Sequence, residues 1–428
     1  MRALSNISRV LLEGEAPSVQ LFRLASLIFA FCLPLLTRGI MLPIGLWLLT
    51  WFFVPKRSLK EVWLPVLIFS GLYLFHLFGM SYTDDVGRGL KDLEQKFSIL
   101  AFPLLLGAVK PQALPGRRMV FMAFIAGTAL ALILGFVAAA IRFPDTGLIE
   151  EFYTTRFSNI HHPSYLAFYI NFCIAFLLYW IFRQGPGNKK KTVLAWILVY
   201  VLALCLVFPA SKMGFIHFYV LVLLAVIAAA KWRVLRSRNT ALLAALPVAF
   251  LLFLQINTVA SARIQAAVNV VGTDNARQAP DELETNTARL HAWRLSIQEI
   301  NRRPLLGTGT GDSHDVMIAA YKNEGLHALA DLGLNPHNNY LQIALALGTP
   351  ALLWFLVSLL FPMKRIFRHQ DWLYLFLILS MALHCLVESV LEKQSGVVFF
   401  TFFNAYLYFS APTHFCESGK KHSELEMR

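Results

Sequence analysis

Charge is what this 428-residue sequence has least of. Asp, Glu, Lys and Arg together make up 15% of it, against roughly 25% in a typical soluble domain. The length would suffice for two or three soluble domains, and the shortage of charge excludes them. Cysteine is also scarce. Of the five, Cys32, Cys173, Cys205 and Cys385 lie inside apolar stretches and Cys416 lies near the C-terminus, so neither a disulfide framework nor a thiolate metal site is expected. No small-residue cleavage site follows the first apolar run, and the polar stretch through Gln20 reads as a retained cytoplasmic segment. There is no internal repeat and no heptad run. What is abundant is apolar: 57% of residues, including 35 Phe, with a mean hydropathy of +0.58. Such a chain belongs in a bilayer. The net charge of +13 would suggest a nucleic-acid partner in a soluble protein; here it poses a question of sidedness, and no nucleic-acid partner is expected.

A spanning helix needs about 20 mostly apolar residues, because backbone groups in lipid must be hydrogen-bonded within the segment. The sequence therefore predicts an all-α polytopic membrane protein with about twelve transmembrane helices, at 24–37, 40–54, 62–80, 97–109, 119–141, 164–182, 192–208, 213–230, 240–257, 339–361, 371–390 and 396–412. The segments 24–37, 40–54 and 97–109 are short enough to be tilted, re-entrant or interfacial. Polar connections alternate in kind. Short basic ones at 56–60, 110–118, 183–191, 231–238 and 364–368, with both termini, hold about 23 of the 38 Lys and Arg. Basic residues mark the cytoplasmic side, which puts both termini in the cytoplasm. The opposite face carries 81–96, 142–163, the turn 209–212 and one segment of about 80 residues. The domain plan is then an N-terminal membrane region at 1–257 with about nine spans, a large outer-loop subdomain at 258–338 with two helices, a C-terminal membrane region at 339–412 with about three spans, and a cytoplasmic tail at 413–428.

A structureless loop of that length is uncommon, and this one carries helical signals. Leu290, Trp293, Ile297 and Ile300 recur at helical spacing after Asn286-Thr287, Pro304 stops the run, and a second helical stretch covers about 313–332. Between them, Gly307-Thr308-Gly309-Thr310-Gly311 lacks the preceding strand and the following Gly-Lys-Ser/Thr of a nucleotide loop. It reads as a tight turn, with Gly309 able to let backbone approach a ligand.

The chemistry-bearing residues gather at the outer face. In Asn335-Pro336-His337-Asn338, where the loop re-enters the membrane, Asn335 suits an N-cap and Pro336 the first helical position. His337 would then stand in the first turn, among unsatisfied N–H groups that bind anions and disfavour imidazolium; the plainer reading is a capping histidine at the interface. Arg289 opens the loop helix and suits bidentate phosphate binding, unless it is a solvated arginine paired with Glu282 or Glu284. Lys212, after Ser211 in a tight turn, opposes the positive-inside bias, as does Arg156 before another re-entry; snorkelling is the plainer account of Lys212. Together with the His337 helix start these cations could form a cup at the outer leaflet. Glu388 and His384 share a helix face at i, i+4 in an apolar span, which marks either function or a local hydrogen bond. Adjacent His161 and His162 diverge on a helix and do not suit a metal.

Three elements resemble the O-antigen ligase family and its superfamily, which includes O-antigen polymerases and bacterial protein O-oligosaccharyltransferases. They are His337-Asn338 followed by Gly348, the stretch Arg289-Leu290 to Trp293 followed by Pro304 to Gly309, and the Ser211-Lys212 turn, where relatives more often carry Ser-Arg. Ala351 stands where relatives often have Gly, Thr or Tyr. The resemblance spans roughly 150–400. It implies a GT-C-like inner-membrane glycosyltransferase of a Gram-negative bacterium that transfers a polysaccharide from undecaprenyl pyrophosphate to a sugar hydroxyl of lipid A–core in the periplasm. Applied to this sequence, it suggests His337 as general base on the acceptor, Arg289 on the pyrophosphate with Lys212, Arg156 and Asn338, and support from Glu388, His384, Ser211 and Gly309. Direct displacement would invert the anomeric centre. No carboxylate cluster stands in the outer loops, so neither metal nor cofactor is expected. Polymerase, protein transferase and lipid-linked glycan transporter are the alternatives.

Overall fold

The computed structural model describes residues 16–183, 189–231, 238–257, 261 and 286–410. The N-terminal segment, the C-terminal tail and the first part of the large loop, with Glu282 and Glu284, lie outside the described residues. Among those described no strand forms; a single bridge joins Lys56 and Val109. The helices are α1 (Pro17–Cys32), α2 (Met41–Trp51), α3 (Trp63–Gly79), α4 (Val86–Lys96), α5 (Ser98–Ala108), α6 (Arg117–Thr146), α7 (Pro163–Arg183), α8 (Lys189–Cys205), α9 (Lys212–Lys231), α10 (Arg238–Ile256), α11 (Asn286–Arg302), α12 (Ser313–Asn323), α13 (His327–Asp331), α14 (Asn339–Leu360), α15 (Met363–His369), α16 (Trp372–Cys385) and α17 (Gln394–Phe409). Each predicted span overlaps a helix. Among the described residues, six stretches are long and apolar enough to cross a membrane: 63–82, 117–146, 163–183, 212–231, 238–256 and 339–369. Helices α1, α2 and α16 are apolar but shorter.

Helix α7 is the axis of the bundle. Every residue from Pro163 to Phe182 is buried, as a helix apolar on all sides must be when neighbours surround it. The abundant Phe residues form much of that surround: Phe121 stacks on Phe176 at 4.6 Å, and Phe124, Phe172, Phe399 and Phe403 meet edge-on or tilted nearby. Asn171 is the polar exception, donating to the carbonyls of Ala167 and Gly214 at 2.9 Å each and so tying α7 to α9.

The loop helices have a core of their own. Ala288, Ala292 and Leu295 of α11 pack with Met317 and Tyr321 of α12, Leu329 of α13 and Leu345 of α14. Small residues let α11 approach closely, and the face expected from hydrophobic spacing is used only in part: Ile300 packs against this core and Trp293 is half-buried, while Leu290 and Ile297 are exposed, at 61% and 49%. The second helical stretch is also two helices, because Gly325 takes a left-handed φ of +73° between them.

Helix α14 is broken at Gly348, whose φ of 81° and ψ of 173° fall in a region essentially reserved for glycine. Pro350 has no N–H to return to Ala346, and the Thr349 N–H turns to the Pro304 carbonyl at 2.8 Å. The carbonyls so released would be costly in an apolar setting. The Gly307–Gly309 turn satisfies them, with Thr308 N–H donating to Leu345 at 2.8 Å and Gly309 N–H to Ala346 at 3.0 Å. That is a correction for Gly309: its backbone closes a broken helix, and a Cβ there would collide with Asp312 and Thr83.

Candidate functional site

The re-entry segment starts its helix later than the sequence suggests. The N-cap of α14 is Asn338, whose side-chain oxygen accepts from the N–H groups of Tyr340 and Leu341 at 3.0 and 3.1 Å. Asn335 instead accepts the His337 backbone N–H at 2.9 Å, a local turn that competes with helix formation. His337 therefore stands just before the helix, in a left-handed conformation with φ of 46°. Two consequences correct the expectation. His337 is not a first-turn residue, and the Asn338 side chain itself takes two of the helix-start N–H groups that an anion would otherwise bind.

Left-handed backbone costs a non-glycine residue about 1–3 kcal/mol and persists where its surroundings enforce it. Here they do. The Trp293 indole of α11 donates to the Pro336 carbonyl at 2.8 Å. Ser389 donates to the same Asn335 oxygen at 3.4 Å, and the Asn339 side chain accepts the Leu391 N–H at 2.9 Å. Loop helix, re-entry segment and the segment after α16 are thereby fastened around His337.

Glu388 completes the junction. One carboxylate oxygen lies 3.2 Å from His337 Nδ1, and the other accepts from Arg289 Nη2 at 3.4 Å. Glu388 is not in the span as expected, since α16 ends at Cys385, and the segment beyond it is free to turn toward the loop. The Glu388 backbone N–H donates to the His384 carbonyl at 3.0 Å, but its carboxylate does not bond the His384 ring. The His384 ring is wholly buried, both nitrogens lack hydrogen-bond partners, and it packs against Tyr165, Phe168 and His217. Burial opposes ionisation of Glu388, but the His337 hydrogen bond and the charges of His337 and Arg289 outweigh it and hold the carboxyl below its ordinary value. His337 and Arg289 are 25% and 29% exposed and Glu388 18%, so a substrate can reach the cluster.

The other predicted residues stand further out. Ser211 accepts the Gly214 N–H at 3.2 Å and helps cap α9, while Lys212, the first residue of α9, is exposed. The His217 and His384 rings are 5.2 Å apart, which puts the start of α9 beside the end of α16 and hence Lys212 on the Glu388 side of the bundle. Arg156 is turned to Glu151, which Arg142 also holds at 2.7 Å; Arg142 first and then Arg156 keep that carboxyl below its ordinary value. The Thr154 N–H binds the Phe208 carbonyl at 2.8 Å, linking this segment to the Lys212 turn. Among the described residues, the side-chain bonds of Arg156 and Asn338 go to Glu151 and to the α14 N–H groups, not to the His337 cluster. His161 faces Ser395 at 2.9 Å while His162 is exposed, and among the described residues no group of three or more His, Cys, Asp or Glu is arranged to hold a metal.

What sequence reasoning missed is the fastening: Asn335, Asn339, Trp293 and Ser389. The run of three Asn around His337 was the available signal, since side-chain amides both donate and accept where backbone is irregular.

The fold and this junction define a class: an all-α protein with several helices long and apolar enough to span a membrane, and a charged cluster where the loop helices meet the bundle. Residues 196–356 match the family model described as O-Antigen ligase, and the match supports membership of the O-antigen ligase superfamily, a glycosyltransferase-like group acting on lipid-linked glycans. The matched region contains Lys212, Arg289 and His337, and Glu388 lies beyond it. No curated protein matches the chain.

Proposed function

We propose that the protein is a lipopolysaccharide O-antigen ligase, transferring polysaccharide from undecaprenyl pyrophosphate to a sugar hydroxyl of lipid A–core at the periplasmic face of the inner membrane. The observation that carries this reading is the His337–Glu388–Arg289 cluster, which joins a base and a phosphate-binding cation in one site. An Nδ1–H donated to Glu388 leaves His337 Nε2 to accept the acceptor's proton, the division of labour seen wherever a carboxylate orients a histidine base. The freed oxygen attacks the anomeric carbon, the bond to pyrophosphate breaks, and the electron pair leaves with the carrier lipid, its charge balanced by Arg289. Attack opposite the leaving group inverts the centre. Lys212 acts on the same lipid-linked dianion from the α9 start. Arg156, engaged with Glu151, contributes only if that ion pair opens on binding. The cations do the work a divalent ion would otherwise do, so the reaction is metal-independent.

In this reading all twelve apolar helices belong to the membrane in a GT-C-like arrangement. Both termini are cytoplasmic, and the regions are 1–257, 258–338, 339–412 and 413–428. The purified His337→Ala protein should lose transfer by about 10²–10⁴-fold while remaining inserted, and Arg289→Ala should chiefly weaken donor binding; near-normal turnover in either variant would remove that residue from the mechanism. Deleting the gene and running lipopolysaccharide on a gel separates ligase from polymerase. Bare core with glycan left on the carrier lipid marks a ligase, and core bearing a single repeat marks a polymerase.

A further inference from the structure

Behind the His337 segment lies a second polar site. A cavity of about 280 Å³ opens between α3, α4, α12 and the re-entry segment, and Asn335 and Pro336 form part of its wall. Its volume is near the lower end of ligand pockets, roughly 300–1,000 Å³, which suits one small ring. The wall is charged and built. Lys96 is 3% exposed in its side chain and bridges Asp92 and Glu392, at 2.8 Å from the latter. His76, 4% exposed, places Nδ1 3.1 Å from Asp92, but neither of its ring nitrogens makes a hydrogen bond. Gln342, His314, Arg88 and the exposed Lys393 also line it; the Gln342 amide donates to Ser313 at 3.1 Å, and the Arg88 charge is taken up by Asp315 at 2.6 Å.

The charges argue against an ion as the occupant. The Lys96 ammonium already stands between the two carboxylates, where a bound cation would need to be. The same carboxylates oppose an anion beside Lys96. Burial disfavours the charge on Lys96, but Glu392 and Asp92 outweigh it and raise the ammonium above its ordinary value, so this network stays charged and internally paired. What remains to be satisfied is a mixture of donors and acceptors, imidazole, amide and carboxylate, beside the apolar surfaces of Met317 and Ala346. A neutral ring bearing several hydroxyls offers that mixture, with C–H faces for the apolar patch.

We propose that this cavity is a subsite for a single sugar ring of one of the two glycans that meet at His337. The proposal rests on the transferase reading above. The subsite shares the Asn335–Pro336 wall with the His337 turn, and Glu392 follows Glu388 by one turn of chain, so a ring held there is presented to the reacting cluster. The donor's first sugar and the acceptor's sugar have the same chemistry, and kinetics separates them.

The full-length protein is assayed with a lipid-linked glycan and lipid A–core, each varied in turn. His76→Phe keeps a ring and removes both nitrogens, and His314→Leu changes the more exposed wall, where folding is less at risk. Each variant should raise one KM by about tenfold, the loss expected for one or two hydrogen bonds, with a much smaller change in kcat. A raised acceptor KM assigns the subsite to the acceptor, and a raised donor KM assigns it to the donor. If the wild type transfers glycan and a monodisperse His314→Leu leaves both KM values unchanged, the subsite is wrong while the function stands. Wild-type protein that transfers nothing overturns the functional reading and the subsite with it.

Discussion

Glu388 lies between a histidine from the re-entry segment and an arginine from the loop helix, and its ionisation decides how both are held. Its folded-state value is lowered, so the stabilisation it contributes is fully present above the unfolded carboxylate range near about 4.3 and fades as pH falls through the lower folded value. Glu388→Gln keeps the shape and removes the charge. It should lower kcat by about tenfold or more, and its thermal midpoint should lie below the wild type's by a constant margin from pH 7 to pH 5.5. A margin that vanishes inside that window would mean the carboxylate is already protonated there. His337 and Arg289 were legible as candidates because a histidine at a re-entry point and an arginine opening a helix stand out in sequence, and Glu388 because a carboxylate in an apolar run does. That the three meet was not, since 51 residues separate His337 from Glu388 and nothing in the apolar run 371–390 shows that its helix stops at Cys385.

At the scale of elements, the break in α14 couples the membrane bundle to the loop layer. Released carbonyls of a spanning helix are satisfied by a turn from the loop, so neither part is complete alone. Gly348→Ala tests this. The substitution forces a side chain into glycine-only backbone, at a cost of about 1–3 kcal/mol, and its Cβ would meet the Leu305 carbonyl. The expected outcome is a lower thermal midpoint in detergent with reduced transfer, because the Gly307–Gly309 turn and the His337 segment sit at opposite ends of the same half-helix. An unchanged midpoint would show that the break is dispensable. The break went unread in the sequence: 307–311 read as a tight turn, and nothing local tied it to a helix about 40 residues later. The amphipathic face of α11 was legible only in part for a related reason: spacing identified the partly buried Trp293 and Ile300 but also the exposed Leu290 and Ile297, whereas close approach to α12 and α14 selected the alanines.

At the scale of the whole molecule, the prediction concerns sidedness. A single cysteine at Lys60 should react with a membrane-impermeant maleimide only in inside-out vesicles, and one at Asp145 in intact cells; both positions are exposed. Labelling of both from one side would break the orientation on which the periplasmic site depends. Not every residue of the basic fringe serves topology alone. Arg117, counted there by sequence, is buried and paired with Asp371, with further bonds to Ser410 and Leu407. The sequence by itself determined that the chain is helical and apolar, because backbone satisfaction in lipid is a local property readable residue by residue, and the distribution of Lys and Arg supplied the orientation that the labelling tests. It also marked His337 and Arg289. Only the tertiary structure decided which carboxylate joins them, which N–H groups close the broken helix, and that Lys96, His76 and Glu392 share a cavity beside the site. Those outcomes depend on which segments touch across long separations, and no periodicity or spacing along a single chain encodes that.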